Sequence, residues 1–241
     1  MKFKVVFLME LAKFRSQWTW SILLSSLFPL SFLFFLKSAR PTAALYAVSG
    51  GLIFSLVLNA VLAMSQELAY LKEGGALDYY RTLSVSEINI LAAMLARSIL
   101  FTLPSLITIA VFSSYAFGMF ILLHPFWSLM VLGMGLISLS GLGTCLGLGL
   151  PNSRTVNIGS QAIYLIIVFC SPVFVSQAAL LPGFRQLSYL LPTTYLAEAL
   201  RTSMSVPILT MNNFYIPLSL LALFCPVSIA LAYRSMSRIG K

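Results

Sequence analysis

With 241 residues, 59% of them hydrophobic and only 9% charged, and a mean hydropathy of +0.96, the chain is too apolar for an ordinary soluble domain. Its net charge of +9 does not point to nucleic acid, because the Lys and Arg residues are scattered between apolar runs rather than gathered on one face. The class that remains is an all-α, polytopic membrane protein whose basic residues report topology.

Residues 1–17, MKFKVVFLMELAKFRSQ, lack the long apolar core and small-residue cleavage site of a signal peptide. They read as a helix lying at the cytoplasmic surface. A first span is expected from about Trp18 to Leu36, long enough at 1.5 Å per residue to cross roughly 30 Å of hydrocarbon. Lys37, Arg40 and Pro41 turn the chain into a second span, about Thr42 to Met64.

Then comes the one long charged interruption. Gln66 to Arg97 holds seven of the 21 Asp, Glu, Lys and Arg residues: Glu67, Lys72, Glu73, Asp78, Arg81, Glu87 and Arg97. Such density cannot sit in lipid. Glu67 to Glu73 can extend the second helix out of the membrane, Gly74-Gly75 breaks it, and Ser84 with Glu87 fits a capping box for a new helix starting near Val85. Between them lies a short piece carrying Asp78, Tyr79, Tyr80 and Arg81, either a solvated loop or a surface element that conveys force from a partner.

A third span is expected from about Ser98 to Leu123 with a kink at Pro104, closed by His124 and Pro125. The fourth, about Phe126 to Leu150, carries Gly143 and Gly147 in a GxxxG pair suited to close helix approach. Pro151 to Arg154 turn into a fifth span, about Thr155 to Phe174, and the sixth runs from about Phe214 to Tyr233. Cys145, Cys170 and Cys225 lie in apolar runs without a CxxC and read as small buried hydrophobes.

Ser171 to Asn213 is too broken to span and too apolar for a free loop. Breaks at Pro182-Gly183 and Pro192 suggest two short helices, a re-entrant hairpin over 177–210, with Thr193 as N-cap of the second. Glu198 and Arg201, spaced i,i+3, can pair on one face. Such a hairpin either forms part of an exit for a transported molecule or merely caps the bundle. With six spans and the termini inside, 11 of the 15 Lys and Arg residues are cytoplasmic, so the insert is cytoplasmic and the hairpin outer.

No catalytic constellation, metal-ligand cluster or midplane pair of acids is evident, and no GxxxxGK[ST] loop for nucleotide exists. An intramembrane enzyme is therefore disfavoured; a non-transporting membrane scaffold stays open.

The insert LKEGGALDYYRTLSVSEINILAAMLARS and the outer segment SPVFVSQAALLPGFRQLSYLLPTTYLAEALRTSM resemble the permease subunits of type-2 ATP-binding-cassette exporters, the bacterial drug, polysaccharide and lipid export group. Pro172, Pro182, Pro192, Leu200 and Arg201 match that pattern; Leu191 stands where the family often has Asn. The resemblance implies a single transmembrane domain over 1–241, in the inner membrane with both termini cytoplasmic. It implies a second permease subunit, alike or different, and two separate cytoplasmic ATPase subunits that hold ATP and Mg, with no cofactor on this chain. The ATPase-coupling surface then maps onto the N-terminal helix and onto Glu67, Lys72, Glu73, Gly74, Gly75, Asp78, Tyr79 and Arg81. The outer hairpin maps onto Pro172, Pro182, Pro192, Glu198 and Arg201. A hydrophobic or amphipathic cargo is expected to move outward between such subunits.

Overall fold

Every described element is a helix. The computed structural model describes residues 41–82, 86–117, 124–205 and 212–238, with Leu27, Leu30, Ser31 and Phe34 as helical positions before them. The expected surface helix at 1–17, and most of the expected first span, lie outside the described residues. The rest comprises α1 (Pro41–Val57), a π-helical stretch (Leu58–Ala63), α2 (Met64–Glu73), α3 (Ala76–Thr82), α4 (Glu87–Phe117), α5 (Pro125–Gly149), α6 (Ser153–Cys170), a 3-10 turn (Gln177–Ala179), α7 (Pro182–Ser188), α8 (Pro192–Ser205) and α9 (Asn212–Arg238).

Among the described residues five stretches are long and apolar enough to cross a membrane: Ala44–Glu73, Glu87–Tyr115, Pro125–Gly149, Ser153–Cys170 and Phe214–Ser237. They coincide with the last five expected spans, but their ends differ. The second helix does continue through the charged residues to Glu73, as its i,i+4 bonding permits. The next is described from Glu87, with the Ser86 carbonyl accepting from the Asn89 and Ile90 N–H groups in its first turn, while Ser84 of the expected capping box and Val85 lie outside the described residues. Pro104 does not interrupt α4.

Contacts set the directions. α1 begins beside α8, where Ser49 meets Arg201, and α2 ends beside the close of α5, where Lys72 meets Leu148. α9 runs along α5, with Phe214 against Trp127 at one end and Ser235 against Cys145 at the other. Successive spans therefore alternate, with the charged insert at one end of the bundle and the Pro-broken hairpin at the other.

The continuous helix from α1 to α2 is the central pillar: 83% of its apolar window is buried, against 22% for α9, whose outward side carries Ile216, Leu223, Val227 and Ile229. Apolar side chains facing out from α4, α6 and α9 suit hydrocarbon rather than water. The pillar packs closely on α5 because glycine permits it. A Cβ on Gly143 would lie 2.3 Å from the Ala60 carbonyl, and one on Gly147 would lie 2.5 Å from that of Ser65. The GxxxG pair is thus a helix crossing; Gly143 meets the π-helical stretch, whose wider turn is a local departure from α geometry, and Gly147 meets the first turn of α2.

Candidate functional site

At the insert end, α2 stops where Gly74 and Gly75 leave the helix. Gly75 has φ +69°, a left-handed conformation in which a Cβ is unfavourable, while the space around it is open. Its carbonyl accepts from Tyr79 N–H at 3.1 Å and starts α3 at once. The short α3 is anchored on one side. Leu77 and Tyr80 are buried in a cluster with Met64, Leu68, Ile90, Met94, Leu148 and Met236, which joins α2, α3, α4, α5 and α9. Asp78 and Tyr79 face outward, and the acidic side chain sits favourably in the helix's first turn.

The other charges of the insert hold helix ends within the chain. Lys72 Nζ donates to the carbonyls of Leu148 (3.1 Å) and Leu150 (3.0 Å), closing the C-terminus of α5 with positive charge. Its neighbour Glu73 accepts from the Ser153 N–H at the N-terminus of α6, with Asn152 as N-cap accepting from Thr155 N–H at 2.8 Å. Adjacent residues of opposite charge thus grip both sides of the Pro151 turn. Glu67 lies 3.4 Å from Arg97, which also sits over the Phe101 ring at 4.7 Å, tying α2 to α4. Of Arg81 only the helical backbone is described.

The hairpin end has a different organisation. After α6 the chain runs as irregular backbone through Ser171 to Ser176, whose carbonyls need donors. Arg201 supplies them from α8. Its Nη2 donates to the carbonyls of Pro172 (2.6 Å) and Val173, its Nη1 reaches that of Val175 at 3.5 Å, and its Nε donates to Ser49 Oγ at 3.1 Å. The guanidinium stacks 4.3 Å from the Tyr46 ring. Burial pulls it down to about 10, opposed by Tyr46 and Glu198. Burial likewise raises the Glu198 carboxyl, opposed by Arg201.

The expected Glu198–Arg201 partnership is therefore electrostatic, while the guanidinium's described hydrogen bonds go to three backbone carbonyls and to Ser49 Oγ. A cavity of about 280 Å³ opens beside it, lined by Tyr46, Ser176, Gln177, Glu198, Arg201 and Thr202 among others.

Two short helices form the hairpin as expected, with Pro182 and Pro192 each at a helix start, where a missing N–H costs nothing. Thr193 is not the N-cap. The helix begins one residue earlier, and the Thr193 hydroxyl instead meets Ser171 Oγ, fastening α8 to the end of α6. Tyr46, Ser49, Gln177 and Thr202 were not singled out by the sequence. Their signal was an arginine in a helix facing a proline-bearing, non-helical stretch, which demands carbonyl partners and a wall around them.

A family model described as ABC-2 type transporter matches residues 2–205, most of the chain. No curated protein matches it. With several apolar helices, an insert held on their ends and no nucleotide loop of its own, the chain belongs to the ABC-2 type transporter family and is a multi-pass membrane transport subunit.

Proposed function

We propose that this subunit is the permease of an ATP-driven exporter in the inner membrane. On this reading it moves a hydrophobic or amphipathic substrate outward with a second permease subunit and two cytoplasmic ATPase subunits that bind ATP and Mg. The insert faces the cytoplasm and α3 receives the ATPase. The observation that carries this is the mounting of α3: Leu77 and Tyr80 lock it into a cluster shared by α2, α4, α5 and α9, while Asp78 and Tyr79 are presented outward. A push on α3 is then transmitted to several spans together, because close-packed side chains do not yield locally.

The nucleotide state of the ATPase pair biases the permease between inward- and outward-facing arrangements, since a ligand shifts an equilibrium only by its differential affinity for the two states. Lys72 and Glu73 make the α5–α6 turn part of the same rigid end. In this scheme they position the coupling surface rather than touch the ATPase.

The test is co-purification from the native host in mild detergent. The expected outcome is recovery of an ABC ATPase with the wild-type chain and a marked loss with Asp78→Lys combined with Arg81→Glu, at equal membrane insertion. A wild-type chain that brings down no ATPase, and stimulates no candidate ATPase, sinks the exporter reading in favour of a scaffold.

A further inference from the structure

We propose that the cavity at the hairpin end binds the protonated amine head of an amphiphile, with Glu198 as its counter-ion. Its meaning for transport rests on the exporter reading above; the binding itself does not.

The cavity wall carries two charges in unlike conditions. Arg201 is turned into the protein, where Ser49, the Pro172, Val173 and Val175 carbonyls and the Tyr46 ring receive it. Glu198, one turn earlier on α8, is only half-buried and lines the cavity. Its backbone carbonyl accepts from the Thr202 hydroxyl, but no described residue donates a hydrogen bond to its carboxylate. A carboxylate partly removed from water calls for donors. A second group has the same need: the Gln177 amide nitrogen, buried in the same wall, has no partner among the described residues. Since an amide can be turned over, Gln177 offers either a donor or an acceptor to what enters.

The chemistry that satisfies this wall is an ammonium with a polar atom close by. Its N–H groups donate to Glu198, and the neighbouring atom bonds Gln177. An anion meets the Glu198 charge, whereas the Arg201 guanidinium is already engaged by the Pro172, Val173 and Val175 carbonyls, Ser49 Oγ and the Tyr46 ring. A purely apolar molecule leaves both polar groups unpaired. Size points the same way: about 280 Å³ falls just below the roughly 300–1,000 Å³ of pockets that enclose drug-sized ligands, so a headgroup fits while its chain lies outside.

The experiment uses the full chain in maltoside micelles and three probes of equal chain length: octylammonium, octanol and octyl phosphate. Binding is read by the shift in thermal unfolding across a titration. Octylammonium is expected to bind in preference to both others, and Glu198→Gln to weaken it about tenfold, the scale of one charge-assisted hydrogen bond, while leaving octanol unchanged. Because a variant can fail to fold, carbodiimide labelling of Glu198 in the unaltered chain gives a second reading: octylammonium protects the residue and octanol does not. Equal binding of octanol, tighter binding of octyl phosphate, or unprotected Glu198 each overturns the proposal. ATPase co-purification separates this from the exporter reading. Loss of the ammonium preference with ATPase association intact removes the pocket alone; an ammonium preference without any ATPase removes the exporter alone.

Discussion

At the insert end, Lys72 and Glu73 close two helix termini, each with the charge opposite to that of the helix end it meets, and an apolar cluster of five elements fills the space behind them. At the hairpin end one guanidinium holds three carbonyls of a stretch that never becomes helix, and a cavity stays open beside it. The first end spreads its fastening over many contacts; the second leaves the carbonyls of its irregular stretch to one side chain, beside the Thr193–Ser171 contact that ties α8 to α6. Spread contacts suit a part that must carry load as a unit. Concentrated contacts leave the surrounding backbone dependent on a single residue, and leave room for a ligand.

The sharpest way to break this contrast is Arg201→Met. The stem keeps much of its packing, but the buried Pro172 and Val173 carbonyls lose their donor, while Ser49 keeps its bond to the Tyr46 carbonyl and the exposed Val175 carbonyl can turn to solvent. Each buried group left unpaired costs about 1–3 kcal/mol, so a loss of at least about 2 kcal/mol is expected in reversible unfolding in mixed dodecyl sulfate and maltoside micelles. Arg201→Lys should recover only part, because an ammonium cannot reproduce the planar fork. A loss under about 1 kcal/mol for the methionine variant shows that the fastening is not concentrated there.

The middle of the pillar comes next. Gly143→Ala places a methyl 2.3 Å from the Ala60 carbonyl, a backbone atom that cannot swing aside. Overpacking of this kind costs about 1–3 kcal/mol. Gly133 on the same helix has nothing within 4 Å of its Cβ position, so Gly133→Ala should be neutral or stabilise by up to about 1 kcal/mol through helix propensity. Equal responses at the two glycines count against the close crossing.

These two tests also divide what was legible in the sequence from what was not. The Gly143–Gly147 crossing was readable because i,i+4 spacing puts both residues on one face whatever the partner. The charged insert and the two hairpin helices were readable because charge, Gly-Gly and Pro punctuate the chain locally. The grip of Lys72 on Leu148 and Leu150, 76 and 78 residues away, and of Arg201 on Ser49, 152 residues away, was not. Such partners are chosen by tertiary packing, and carbonyls carry no side-chain signal. Thr193 shows the same limit: its position suggested an N-cap, but Ser171 from another element claims its hydroxyl.

Gly75→Ala probes the start of the insert. The left-handed φ of +69° is unfavourable for any residue with a Cβ, by about 1–2 kcal/mol, and nothing else crowds the site. Gly75→Asn should cost less, since asparagine tolerates that conformation. Equal losses for the two variants would trace the cost to contacts rather than to the backbone.

The smallest effects are expected at the two helix-end charges; Lys72→Met keeps the aliphatic stem and removes two carbonyl bonds and one charge from the C-terminus of α5. A charge matched to a helix end is worth about 0.3–1 kcal/mol, and the apolar cluster around Leu68, Leu77 and Met94 remains to hold the region. Glu73→Gln keeps an acceptor for the Ser153 N–H while removing the charge, so it should be milder still. The combination is the informative variant. If both residues brace one turn, loosening it by either route forfeits part of the other's contribution, and the double variant costs less than the two single losses added together. Strict additivity in the same unfolding measurement would show instead that α5 and α6 are capped independently. The Pro151 turn would then not belong to the rigid end that carries α3.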